Sequence, residues 1–211
     1  MATRPTKPTR KRRAPEEARE EILAAAERVL SREGPDGAGL KAVADEAGVS
    51  HALVTHYFGT YEGLVGEVFT RNNRALAAAI FEAVTSEGAP LSPSELVRRF
   101  AGLAAAPART RLMAWAFLRG GAFVRSVRGE SPLPALVDAL TANAAELARA
   151  QKRPAPARED VAMALLIGLC AIQWYGLANP MLVEAMGLPT GHATDARFQR
   201  ALGAMVDAFL A

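Results

Sequence analysis

Cysteine is almost missing from this sequence. Cys170 is the only one in 211 residues, which excludes an intrachain disulfide and a multi-cysteine zinc site and makes a reduced, cytoplasmic setting the expectation. Aromatic residues amount to 6%, and the alternating and β-branched runs of strands do not occur, so a sheet protein is not expected. No apolar segment follows the basic start, so no secretory signal is expected either. Neither a His-Glu-x-x-His zinc pair nor a Gly-x-x-x-x-Gly-Lys-Ser/Thr phosphate loop is present, and the glycine-rich run 34–39 follows a helix instead of a strand. Metal, cofactor and enzyme chemistry therefore lack a motif, and none is expected.

What is present is a soluble globular composition, with 50% hydrophobic and 22% charged residues. The formal charge of +3 is unevenly spread. Arg4, Lys7, Arg10, Lys11, Arg12 and Arg13 precede the first acid, Glu16, so that 19 of the 25 cations face all 22 acids from there on, a net charge of −3. Pro5, Pro8 and Pro15 make residues 1–15 a poor helix or strand, and the stretch reads as a disordered basic tail for a polyanion. The alternative is a merely solubilising terminus.

From Glu16 onward apolar residues recur at three and four, the period of helices. Ile22, Leu23, Ala26, Val29 and Leu30 stripe a first helix, which Gly34-Pro35-Asp36-Gly37 ends. Ser92-Pro93-Ser94-Glu95 combines an N-cap, a proline at the first helical position and a capping-box glutamate. A helix from about Glu159 is expected to stop near Leu177, before Asn179-Pro180, with a short helical turn at 181–186. The fold class that follows is all-α, with nine or ten helices in a small N-terminal unit (16–62) and a larger bundle (63–211).

The sharpest constellation is residues 40–58. Ala44, Ala47 and Gly48 permit two short helices to cross closely, Val49 plugs the turn, and Val54 and Phe58, four apart, face the first of the pair. His51, Ala52, Thr55 and His56 are left on the opposite, exposed face, which is the face that enters a major groove in a helix-turn-helix. The alternative is an ordinary helical packing corner. His51 and His56 lie about 140° apart around a helix at 100° per residue, which does not suit one shared metal ion.

These residues resemble the TetR-type (tetracycline-repressor-like) transcriptional regulators. The likeness rests on Ile22-Leu23-Ala24-Ala25-Ala26, Gly34, Val43-Ala44-Asp45-Glu46-Ala47-Gly48-Val49-Ser50, His56-Tyr57-Phe58, Glu62 and Leu64, and spans roughly residues 18–68. It implies a DNA-binding homodimer, most often a repressor released by a small molecule, with Lys41, Ser50, His51, Ala52, Thr55, His56, Tyr57 and Tyr61 at the DNA. Three positions depart from the family's pattern: Gly39 stands where a capping threonine is frequent, Thr55 where an aromatic is, and Tyr61 where a lysine is. The basic tail is a candidate to replace the phosphate contacts so lost.

Past residue 68 the sequence offers composition and stripes. Met113, Trp115, Phe117, Phe123, Trp174 and Tyr175 are expected to line an apolar pocket for an unidentified small apolar or amphipathic effector. Leu169 and Ile172, with Phe198, Leu202 and Met205, are expected to form a four-helix homodimer interface. Val161 to Leu177 is apolar enough to resemble a membrane span, but Gln173 and the missing basic anchors favour a buried soluble helix. The reading that results is a ligand-responsive regulator on a double-stranded, palindromic operator. The alternative is a helical interaction protein that keeps a helix-turn-helix shape without sequence-specific binding.

Overall fold

The computed structural model describes residues 15–86, 88–119 and 131–211. The basic tail up to residue 14, the Gly120-Gly121 break and the pocket candidate Phe123 fall outside them. Among the described residues there are nine helices and no strand, as the periodicity requires. They are α1 (Pro15–Glu33), α2 (Leu40–Ala47), α3 (His51–Phe58), α4 (Tyr61–Thr85), α5 (Pro93–Ala104), α6 (Pro107–Arg119), α7 (Leu133–Ala150), α8 (Arg158–Ala185) and α9 (His192–Phe209).

Local chemistry sets most boundaries. Gly48 ends α2 in the left-handed region at φ 63°, which an L side chain rarely adopts. Ser50 caps α3 by accepting from the Leu53 N–H at 3.2 Å, and Thr60 caps α4 through the Gly63 N–H at 3.1 Å. The expected capping box forms at α5: the Ser92 hydroxyl accepts from the Glu95 N–H, and the Glu95 carboxylate accepts from the Ser92 N–H at 2.7 Å. One expected stop is absent. Pro180 lies inside α8, which runs on to Ala185. A proline removes a single N–H from the ladder, and burial of Ala178 and Val183 on either side of it holds the helix together.

Two apolar cores result. The first joins Ile22, Val29, Val43, Val54 and Phe58 of α1, α2 and α3 to Leu64, Val65 and Val68 at the start of α4, and to Leu112, Trp115 and Ala116 of α6. The second fills the bundle with residues such as Leu76, Phe100, Leu140, Ile172, Leu202 and Val206. Helix α4 contributes to both, and α6 reaches from α8 in the bundle back to α1 and α4. Between α4 and α5, the buried Asn143 holds the chain by accepting from the Leu91 N–H at 2.9 Å and donating to the Leu91 carbonyl at 2.8 Å. Without these bonds both polar groups would be costly to bury.

The tightest helix contact is α5 against α9. A Cβ built on Gly203 would stand 2.8 Å from the Ser94 Cα, and the Ser94 hydroxyl donates to Asp207 one turn further along α9. Backbone lies on the far side of that contact, so no rotamer change relieves it. Gly203→Ala is expected to lower stability by about 1–3 kcal/mol, read as a lower denaturant midpoint at unchanged slope. A midpoint equal to the parent's would show that α9 rides out from α5 freely.

Candidate functional site

Helices α2 and α3 cross at Gly48, with Val49 half-buried against the N-terminal core and Val43, Ala44, Val54 and Phe58 beneath it. This burial fixes which side of α3 points outward. His51, Ala52, Thr55 and His56 are exposed, with Lys41 and Ser50 exposed beside them. Thr55 donates to the His51 carbonyl at 3.1 Å, and the His56 and Tyr57 rings meet edge to face with centroids 5.4 Å apart. Tyr57 is half-buried. The face is short and polar, and it projects from a small rigid unit.

The unit is braced from behind by ion pairs that the sequence pattern did not single out. Arg28 donates to Glu46 at 2.8 Å and Arg32 does so at 3.4 Å, tying α1 to α2. The Arg28 hydrogen bond leads in holding the Glu46 carboxyl below its ordinary range. Gly39 gives α2 no side-chain cap.

Tyr61 and Trp115 share a structural task that their sequence positions did not indicate. The Tyr61 hydroxyl donates to the Pro35 carbonyl at 2.8 Å, while its ring stands edge-on to Trp115 at 6.2 Å. Trp115, 6% exposed, donates its indole N–H to Asp36 at 3.0 Å. Both side chains therefore clamp the loop between α1 and α2. The signal was in the sequence only as an unusual Tyr61 and a tryptophan far from its partners along the chain.

The second site is an apolar cavity of about 120 Å³ in the bundle, bounded by α4, α5, α7, α8 and α9. Leu76, Phe100, Leu140, Leu169, Ile172 and Val206 are among its walls, and among the described residues Asn143 is the only polar side chain lining it. None of the expected pocket residues that the structure describes is in that wall. Trp115 and Met113 pack into the N-terminal core. Phe117 and Trp174 are 71% and 64% exposed, and Tyr175 stacks on Phe198 with centroids 3.8 Å apart. Composition located the aromatics without telling which side of each helix they occupy. The expected dimer set divides in the same way: Ile172 and Leu202 are buried inside the protomer, Leu169 lines the cavity, and Met205 is exposed. An i, i+3, i+4 stripe reports an apolar face but not the helix that covers it.

Burial, with the charges of Asp36, Glu33 and Glu62 behind it, pushes the Tyr61 phenol up to about 12. A pKa raised on folding stabilises the fold fully below the unfolded value near 10, and that contribution fades as pH climbs towards 12. Tyr61→Phe is expected to remove part of the late-rising phenolate absorbance and to flatten the stability loss between about pH 10 and 12. Loss of the early part of the absorbance rise instead would mean that Tyr61 ionises near its ordinary value of about 10 and is not held by the loop.

Residues 22–68 match the family model described as bacterial regulatory proteins, tetR family. No curated protein matches the chain in sequence. Among solved structures, one from Mesorhizobium loti assigned to TetR-family transcriptional regulators is similar at a TM-score of 0.64, with 20% identity over 94% of this chain and 98% of that one. The Bacillus subtilis transcriptional regulator FadR, solved in complex with stearoyl-CoA, is similar at 0.62, with 13% identity over 92% of this chain and 100% of the other. A tetR-family regulator from Streptomyces coelicolor gives 0.60, with 17% identity over 92% and 80%. The segment that carries the helix-turn-helix thus matches the bacterial regulatory proteins of the tetR family, and the chain has the all-helical fold of TetR-family transcriptional regulators.

Proposed function

We propose that this protein is a homodimeric DNA-binding transcriptional regulator, most plainly a repressor, which leaves its operator when a small apolar molecule enters the bundle. The observation that carries the reading is the outward face of α3. His51, Ala52, Thr55 and His56 are exposed together, and short polar side chains allow a helix to come within hydrogen-bond distance of base edges. The residues beneath are buried, so the face is presented rigidly. Lys41 and Ser50 flank it as candidates for backbone phosphates.

Two copies are supported by α8. Met163, Ile167, Cys170, Trp174, Leu177 and Met181 are exposed and alternate four and three apart, the spacing of a helical seam. Met205 and Phe209 are exposed on the neighbouring α9. Helix α8 is also the helix among the described residues long and apolar enough to cross a membrane by length and composition. Its opposite side packs on α5, α6, α7 and α9, so a second copy is the cover that this reading assigns to the exposed side. Symmetric dimers read symmetric DNA, which makes a near-palindromic operator the expected target. The effector reading draws on the bundle cavity, and on FadR having been solved with an acyl-CoA.

The test begins by selecting an operator from random DNA. Thr55→Glu or His56→Glu is expected to abolish its binding, with helical content and sedimentation unchanged, because a carboxylate would face base edges and phosphates at close range. Retained affinity in an anisotropy assay would remove α3 as the reading helix. Ile167→Glu is expected to convert the dimer into a folded monomer, since a buried charge without a partner costs several kcal/mol; a dimer surviving this change in sedimentation would exclude the α8 seam.

A further inference from the structure

Five helices, α4, α5, α7, α8 and α9, wall the bundle cavity, and among the described residues none of the side chains lining it is titratable. A carboxylate or an ammonium entering this space would lose its hydration and gain no counter-charge in return. The wall therefore selects against ions.

Part of the free volume comes from one residue. Gly168 lies in the interior of α8, is buried and lines the cavity. Glycine is less favourable than alanine inside a helix, so a buried one usually answers to a close neighbour or to a positive φ. Gly176 and Gly203 have such neighbours: a Cβ would stand 3.0 Å from the Thr110 hydroxyl at the first and 2.8 Å from the Ser94 Cα at the second. Gly168 has neither reason. Its φ is not positive, and a Cβ built on it meets nothing within 4 Å outside the backbone of its own turn. What this glycine contributes is room.

The polar side chain in the described wall is also specific about what it can accept. Asn143 is buried, accepts from the Leu91 N–H and donates to the Leu91 carbonyl. A primary amide has two N–H donors and two carbonyl lone pairs, so one of each is left over. A hydroxyl, which donates and accepts, matches either of them.

Resting on the reading of the cavity as the effector site, we propose that this site takes a compact uncharged ligand with an apolar body, seated in the space beside Gly168, and a single hydrogen-bonding oxygen directed to Asn143. Size follows from the volume. A cavity of about 150 Å³ takes a benzene, so at about 120 Å³ this one suits a body of roughly six carbons. Such a ligand touches Leu76 and Ile80 on α4, the helix whose first turns lie in the core beneath α3.

The experiment is calorimetric titration of the full chain with toluene, phenol, benzoate and benzylammonium, four probes of one ring size. Toluene and phenol are expected to bind, and both ions to bind at least about 30-fold more weakly. Phenol is expected within about 30-fold of toluene; a larger deficit is the cost of burying a hydroxyl without a partner and would remove Asn143 from the site. Benzoate or benzylammonium binding as tightly as phenol would overturn the uncharged class. Gly168→Leu is expected to abolish binding of toluene and phenol, and unchanged affinity in the folded variant would place both ligands outside this cavity. If the leucine variant does not fold by circular dichroism, Gly168→Ala is expected to weaken both probes several-fold and to raise the melting temperature, because the added methyl enters open space. A lower melting temperature would overturn the open space at Gly168. The effector reading is tested apart from this by adding phenol to the complex with the selected operator: binding to the protein without loss of operator affinity would end that reading and leave the ligand site standing. If neither toluene nor phenol binds while a charged or larger molecule releases the operator, the effector reading survives and the compact uncharged class is overturned.

Discussion

A tryptophan from the bundle's side of the molecule is buried in the core of the helix-turn-helix unit, and much else depends on it. An indole brings 150–250 Å² of surface and one N–H that must be satisfied when buried. Trp115 meets both needs at once: its ring packs among the helices that present α3, and its N–H reaches Asp36 in the loop after α1. Arg119 stands over the same ring at 5.2 Å, and Tyr61 meets it edge-on. The start of α4, the α1–α2 loop and α6 are thereby joined as one packed body. A change of α6 position cannot leave α3 unaffected, because close-packed cores transmit displacement instead of absorbing it.

That arrangement gives the bundle a mechanical route to the outward face of α3. The other end of α6 carries Arg109 and Thr110, where polar atoms are buried without partners, against α4 and α8. Orphaned polar groups are tolerated in native structures chiefly where something else completes them. The two cores sharing α4 then differ in role: the first is stiff and presents a surface, the second contains free volume.

The exposed apolar seam on α8 belongs to the same economy of surfaces. Apolar side chains at four-and-three spacing gain little in water and much against a second helix. Protomer packing takes one side of α8, with Ala164, Gly168 and Ile172 buried, and leaves Trp174 on the other. The inner residues Ala164, Gly168 and Ile172 line the cavity, and the large ones outside stay exposed. Gly203 makes the comparable choice on α9, where contact with Ser94 excludes even a methyl group.

The sequence by itself determined the helical class, the caps at Ser50 and Ser92, the turn at Gly48 and the outward face of α3. Each of these depends on residues within a few positions of one another, where side-chain periodicity and local hydrogen bonding decide the outcome. Tertiary structure alone decided the rest. Leu202 and Ile172 carry the same apolar pattern whether a neighbour in the protomer or a second copy covers them, so their burial inside the chain was not legible. The bonds of Trp115 to Asp36 and of Tyr61 to Pro35 were not legible, because the partners lie 79 and 26 positions away. Pro180 reads locally as a stop, and the burial of Ala178 and Val183 beside it outweighed one lost hydrogen bond. Long-range contacts settle such cases because a chain's periodicity records how apolar a face is, whereas what meets that face is fixed only when the helices pack.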